Sequence, residues 1–371
     1  MKIAWVFSAV LALCPLVAGA QVVRSEEQAF RVVTVVKGLE HPWCVAWLPD
    51  GRLLITEREG RLRVVKDGKL EPKAVEGVPE VVQRGQSGLF DVAPHPRFAE
   101  NGLVYLAYTA AGPGGIGTEL ARGKLVGNRL ENVQVIFREE PKGPARIQFG
   151  GRIVFDGKGH VFLTLGDLGD KDRAQRPDDD AGSVIRLNED GSIPKDNPYV
   201  GKPGWKPAKY DLGHRNMQGA AIDPRTGELW THEHGPQGGD EINIIRAGRN
   251  YGWPVITYGV NYGTGTKIGE GTAKAGMEQP LYYWVPSIAP SGMAFYTADK
   301  FPKWKGDLFV GSLKFELLVR LRLQGDKVVK EERMLKGVLG RIRDVRVGPD
   351  GLIYLLTDES DGVLARLEPA S

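Results

Sequence analysis

Arg341 and Arg343 stand one residue apart near the end of a 371-residue chain. On a strand, residues i and i+2 share a face, so both guanidinium groups project to the same side. A lone arginine is ordinarily a solvated surface charge, but two cations sharing a face call for an anion. A second chemical candidate is the acidic stretch containing Asp167, Asp170, Asp172, Asp178, Asp179 and Asp180. Carboxylates suit calcium, yet EF-hand spacing is missing, so the stretch reads as a solvated loop. Glu241 taken alone reads as an ordinary loop acid. Cys44 lies in the apolar run from Trp43 to Trp47 and reads as a buried, inert thiol.

The elements that must carry these residues repeat along the chain. A turn rich in Pro, Asp, Asn and Gly is followed at once by a short apolar strand. The copies are Pro49-Asp50-Gly51 before Leu53, Asn101-Gly102 before Leu103, Gly157-Lys158-Gly159 before Val161, Thr226-Gly227 before Leu229, Lys305-Gly306 before Leu308, and Asp350-Gly351 before Leu352. Gly and Asn supply the positive φ of tight hairpins. A second strand follows each copy, as in Leu62-Arg63-Val64-Val65 and Val319-Arg320-Leu321. Six such units, spaced roughly 45 to 80 residues apart, predict an all-β chain. The expected fold is a six-bladed β-propeller of four-stranded antiparallel blades, forming one domain over residues 21–371. A strand near Arg31 to Val36 is expected to complete the last blade and close the ring. The longest interval, from Gly227 to Gly306, carries a Gly- and aromatic-rich run from Asn250 to Tyr283, and long rim loops usually build a propeller's binding site.

Residues 1–20 read as a signal peptide. Lys2 is the positive n-region, Ile3 to Val17 the apolar run, and Ala18-Gly19-Ala20 the small-residue cleavage site. The run is too short to span a membrane comfortably, and no later segment is apolar for about 18 residues, so no membrane span is expected. Leu13 and Pro15 suit Cys14 poorly as a lipidated residue. The expected location is the periplasm or the medium. With Cys14 removed, Cys44 is the one remaining thiol and no internal disulfide can form. The formal charge of +3, less Lys2, gives no reason to invoke nucleic acid or anionic membranes, and no basic run interleaves with aromatics.

Eight motifs then coincide: Gly85-Gln86-Ser87-Gly88-Leu89, Phe149-Gly150-Gly151-Arg152, Gly213-His214-Arg215-Asn216, Glu233-His234-Gly235-Pro236, Gly239-Asp240-Glu241-Ile242-Asn243, Asn250-Tyr251-Gly252-Trp253-Pro254, Ser312-Leu313-Lys314 and Gly340-Arg341-Ile342-Arg343-Asp344-Val345. From about His41 to the C-terminus the chain resembles the soluble aldose sugar dehydrogenases that depend on pyrroloquinoline quinone (PQQ), the glucose/sorbosone dehydrogenase family. The resemblance implies PQQ and calcium as cofactors and a sugar substrate oxidised at its anomeric carbon to a lactone. It implies an external electron acceptor and admits a homodimer, although no self-complementary face is visible in the sequence. PQQ carries three carboxylates, and Arg215, Lys314, Arg341 and Arg343 are cations suited to neutralise them. By the same matching, Gln86, Asn216 and Tyr262 line the cofactor site. The carbonyls of Gly235 and Pro236 hold the calcium that bridges to PQQ, and Glu241 with the backbone of Tyr251 matches a second, structural calcium site.

One position departs from the family. The resemblance implies a catalytic histidine that takes the proton of the anomeric hydroxyl while hydride leaves C1, with an arginine polarising the quinone. Here Gln148 occupies that base position. An amide can hold a hydroxyl but cannot accept its proton, and a positioned general base is typically worth about 10² to 10⁴ in rate. His41 and His95 fall in entry turns, His160 begins a strand, and His214 and His234 belong to the family pattern. His232, which alternates with His234, is the freest replacement. The function expected is therefore a PQQ- and calcium-dependent sugar dehydrogenase. The alternative is a PQQ-binding propeller with weak or no turnover. A calcium-dependent lactonase-type hydrolase on the same architecture would not need four convergent cations.

Overall fold

The computed structural model describes residues 22–370, so the expected signal peptide, with Cys14 and the cleavage site, lies outside the described residues. Strands β1 (Val22–Arg24) and β2 (Ala29–Leu39) come first. The first blade is β3 (Pro42–Trp47), β4 (Leu53–Glu57), β5 (Arg61–Lys66) and β6 (Lys69–Leu70). The second is β7 (Leu89–Pro94), β8 (Leu103–Gly112), β9 (Gly115–Val126) and β10 (Arg129–Arg138). The third contains β11 (Gly150–Phe155), β12 (His160–Leu165) and β13 (Val184–Asn188). The fourth is β14 (Met217–Ile222), β15 (Leu229–Glu233), β16 (Asp240–Ile245) and β17 (Tyr282–Trp284). The fifth is β18 (Pro290–Phe295), β19 (Leu308–Ser312), β20 (Leu317–Gln324) and β21 (Lys327–Met334). The sixth is β22 (Ile342–Val347), β23 (Ile353–Thr357) and β24 (Gly362–Pro369).

These six antiparallel sheets are the blades of a β-propeller. The ring closes as the sequence predicts. Strand β2 pairs with β24 through Val32 opposite Leu367 and Thr34 opposite Ala365, so the two ends of the chain share one sheet. With β1 added at its edge that sheet has five strands, and the third has three. In the third blade the fourth strand is reduced to a single bridge between Ile185 and Lys209. The intervening segment carries Pro194, Pro198, Pro203 and Pro207, which cannot donate to a ladder.

All six glycine turns join the first strand of a blade to its second. The turn glycines Gly51, Gly102, Gly157, Gly227, Gly306 and Gly351 all have φ between 65° and 93°, the left-handed region that a side chain disfavours. The first strands, β3, β7, β11, β14, β18 and β22, neighbour one another in turn around the axis. Each is bulged within its first few residues. A bulge bends the strand and re-aims its side chains. Because the strands alternate in direction, two kinds of loop share one face of the disc: those entering the first strands and those joining second to third strands. The glycine turns lie on the other face.

Aliphatic and aromatic side chains fill the gaps between sheets, Leu54, Leu106 and Leu163 among the first three blades and Phe30, Ile55 and Leu318 where the last two meet the first. The axis is filled differently. Arg152 of β11 is 2% exposed and stands 3.3 Å from Asp91 of β7 and 3.2 Å from Asp344 of β22, with its guanidinium 4.2 Å over the ring of Trp43 on β3. Arg346 bonds the same two carboxylates at 3.0 and 2.9 Å. Cys44, buried as expected, lies 3.3 Å from Arg346. Burial pushes its thiol well above the usual range. Asp91 also accepts from Ile153 N, Asp344 from Val45 N, and Gln218 O of β14 from Arg152 Nε.

Breaking such a buried pair leaves an uncompensated charge. Arg152→Met is expected to lower the unfolding free energy by about 3 to 5 kcal/mol in denaturant titrations. A loss below about 1 kcal/mol would show that the axis is held by packing alone.

Candidate cofactor and substrate cavity

A cavity of about 460 Å³ opens on the axis at the face where the first strands begin. Its walls come from the two loop types that share this face. Gln86, Ser287, Ala289 and Arg341 enter first strands, while Arg58, His234, Gly235, Pro236, Gln237, Lys314 and Asp358 sit between second and third strands. Trp43, Gln218 and Arg343, on the first strands themselves, also line it. Tyr262, from the long loop, stands at its rim, 65% exposed.

Of the residues singled out in the sequence, Gln86, Gly235, Pro236, Tyr262, Lys314, Arg341 and Arg343 line this cavity. Arg215, Asn216 and Gln148 do not, although they pack next to it. Arg215 Nη1 donates to the carbonyls of His234 at 3.1 Å and Gly235 at 2.8 Å, with its guanidinium 5.5 Å from the Trp253 ring. Asn216 Oδ1 accepts from Gly150 N, and its carbonyl accepts from His234 N. Gln148 is buried at φ 63°, and its N–H donates to Gln86 Oε1 at 2.9 Å.

Glu241 and Tyr251 belong to a separate buried cluster. His214 bridges Glu233 at 2.6 Å and Asp211 at 3.0 Å and stacks on Tyr251 at 4.6 Å. Burial opposes its charge, but the two carboxylates overcome this and lift it to about 10. Asn243 Nδ2 bonds both Glu233 and Glu241. Burial, and then Glu233, push the Glu241 carboxyl up to about 8. Among the described residues, no group of three or more His, Cys, Asp or Glu side chains converges as a metal site.

Cationic side chains dominate the cavity: Arg58, Lys314, Arg341 and Arg343 surround one carboxylate, Asp358. Asp358 bonds Arg343 at 2.5 Å and His41 at 3.1 Å, with Arg341 at 3.8 Å. Burial would raise its carboxyl, but Arg343 outweighs that and holds it well below the ordinary range. Burial, with Arg341 and Arg58 close by, pulls the Arg343 guanidinium below its ordinary value against the opposing pull of Asp358. The Nε atoms of Arg58 and Arg343 are buried without a hydrogen-bond partner. Unsatisfied buried donors in a cationic cavity are the arrangement a planar polyanion would complete.

Two expectations are corrected. His232 is fully buried on β15 and is no cavity residue. It fills the space over Gly219, where a Cβ would lie 2.0 Å from its Nε2. Burial, then His234 and Arg152, push its pKa well below the usual value. His234 lies just beyond the end of β15 and does line the cavity. Its Nε2 donates to Pro290 O at 2.5 Å, while burial and the nearby Arg215, Arg343 and Arg341 lower its pKa to about 3. The acidic stretch is only partly solvated. Asp170, Asp172 and Asp178 are exposed, but Asp167, Asp179 and Asp180 are buried, with Asp179 paired to Arg173 at 2.8 Å. Arg58 was missed in the sequence, where it sits between Glu57 and Glu59 and reads as a solvated hairpin charge.

The glucose/sorbosone dehydrogenase family model matches residues 39–366. The chain is 43% identical to the aldose sugar dehydrogenase YliI of Escherichia coli K12, over 96% of this chain and 98% of that one. It is 29% identical to quinoprotein glucose dehydrogenase B of Acinetobacter calcoaceticus over 93% of this chain and 88% of the other. The crystal structure of the soluble aldose sugar dehydrogenase of E. coli in its apo form superposes with a TM-score of 0.88 at 44% identity, covering 92% of this chain and all of that one. The PQQ-bound aldose sugar dehydrogenase of Streptomyces coelicolor superposes with a TM-score of 0.75 at 30% identity, covering 91% and 98%. With its propeller, its axial cationic cavity and these matches, the chain belongs to the glucose/sorbosone dehydrogenase family and is a sugar dehydrogenase.

Proposed function

We propose that the protein is an exported, PQQ- and calcium-dependent aldose dehydrogenase that converts the anomeric carbon of a sugar to the lactone. The observation that carries this reading is the set of four cations around a single carboxylate in the axial cavity. When bound, PQQ supplies a quinone that accepts two electrons from the anomeric carbon. Arg343, Arg341 and Lys314 would hold its carboxylates, Arg343 most tightly because it is buried. Gln86 and Tyr262 would flank it. Arg215 would polarise it from beside the Gly235 carbonyl, and Asn216 would brace that corner.

Gly235 and Pro236 both line the cavity, and calcium prefers carbonyl oxygens of the kind they carry. Gly235 O already accepts from Arg215, so a metal ion there competes with the guanidinium for one oxygen. A second calcium beside Glu241 and the Tyr251 backbone would offset the repulsion between Glu241 and Glu233. Gln148 would orient the sugar hydroxyl through its amide. No imidazole is available at that position, so turnover is expected to be slowed, and the reading of a PQQ-binding propeller with weak turnover rests on this residue.

Purified protein stripped with a chelator is expected to bind PQQ only after calcium is restored, followed by PQQ absorbance or calorimetry. Arg343→Ala should weaken binding by about 3 to 5 kcal/mol, as for one partner of a desolvated pair. Arg341, 43% exposed, should cost clearly less. Unchanged affinity in both variants would place the cofactor elsewhere. Gln148→His should raise the rate of sugar oxidation by roughly 10² or more and introduce a titration near the imidazole pKa of about 6.5. The parent enzyme should instead gain activity toward alkaline pH, where solvent shares in proton removal. If the parent already matches the His variant with a neutral titration, another base operates and Gln148 does not limit turnover.

A further inference from the structure

We propose that Arg58 is an additional carboxylate-binding residue of the cavity, an assignment that rests on the PQQ reading above. Arg58 follows β4 on the turn that opens toward the axis and lines the cavity with Arg341, Arg343 and Lys314. The acids nearest in sequence are committed elsewhere. Glu57 bonds Arg61 at 2.6 Å and Arg63 at 3.3 Å, and Glu59 bonds Arg61 at 2.9 Å. Asp358, the cavity's one carboxylate, is taken by Arg343 and His41. Among the described residues Arg58 has no ion-pair partner, and its Nε is buried with no acceptor. It is nonetheless close enough to act electrostatically on both Asp358 and Arg343.

The backbone of Arg58 is fixed and the start of its side chain is hemmed in. Its N–H donates to His41 O at 3.1 Å and its carbonyl accepts from Leu89 N at 2.9 Å. Gly88 packs so closely that a Cβ there would lie 2.6 Å from Arg58 Cγ. A guanidinium held with one buried donor unmet is unfavourable in the empty cavity and is satisfied when a carboxylate meets its edge. Four cations then face a ligand with three carboxylates, with Arg343 shared with Asp358.

The test uses calcium-loaded, PQQ-free full-length protein titrated with PQQ. Arg58→Gln is expected to raise the Kd about 10- to 100-fold. Arg58→Lys, which keeps the charge and loses the planar fork, is expected to fall between. In the absence of PQQ, Arg58→Gln should unfold at the same or a higher temperature than the parent, because an unmet cation has been removed, while its upward shift on adding PQQ should be smaller. Parent-like affinity in Arg58→Gln would overturn the assignment and leave the PQQ reading intact. Weaker binding accompanied by a lower unfolding temperature without PQQ would make Arg58 structural and also overturn it. Should Arg58→Gln not fold, that outcome too marks a structural role. A parent protein that fails to bind PQQ at all would remove both readings.

Discussion

Six strands that converge on one axis must put something at the centre, and here that centre is ionic. Arg152 reaches from the third blade to carboxylates of the second and sixth, and Arg346 bonds the same pair. Two guanidinium groups against two carboxylates leave the plug neutral, so no net charge is buried there. Backbone N–H groups of Val45 and Ile153 and the carbonyl of Gln218 bring the first, third and fourth blades into the network. The fifth blade joins by approach, since a Cβ on Gly292 would lie 2.4 Å from Asp344 Oδ1. The same network forms the floor of the cavity. Gln218 accepts Arg152 Nε on its carbonyl and Arg343 Nη1 on its side-chain oxygen at 2.8 Å, so the residue that seals the axis also aims a cavity cation.

Above the plug the balance changes sign. Asp358 answers Arg343 and His41, and nothing of the kind answers Arg58. Concentrating cations in a concave, partly desolvated site is unfavourable for the empty protein and favourable for binding a polyanion. The propeller can tolerate this because the loops that carry these cations are anchored on strands whose stability comes from the hydrophobic layers between blades. These cations gather at the cavity face, while the opposite face carries the hairpin turns.

The sequence made the blade count legible through the turns, since a tight hairpin needs positive φ and only a few residues supply it. Ring closure was legible because a strand-like segment was left over at the N-terminal side. The reduced fourth strand of the third blade was not expected, though the prolines that prevent it are plain in hindsight. Arg341 and Arg343 were found by their spacing together with their motif. Arg58 was hidden by its acidic neighbours, whose real partners lie on the next strand. His232 and His234 show the limit of alternation. The rule holds while the strand lasts, but β15 ends at Glu233, and one residue later the ring turns toward the axis. The split of the acidic stretch into buried and exposed members has no periodic signature, because each buried carboxylate has its own partner: Asp179 meets Arg173, Asp167 accepts from Trp253 Nε1 and Asp180 from Glu140 N.

Gln148 shows how chemistry and frame can separate. Its N–H is bonded by Gln86, its carbonyl by Leu168 N, and its backbone sits at φ 63°. A residue other than glycine there costs of order 1 kcal/mol or more and persists only where the surroundings over-determine it. They do: a Cβ at Gly166, just past the end of β12, would lie 2.0 Å from Gln148 O. Every one of these restraints acts on the main chain. None of these restraints involves the side chain, so an imidazole could stand on the same backbone as the amide. On the reading proposed above, an amide in place of an imidazole bears on the fate of a single proton and not on how the propeller is built.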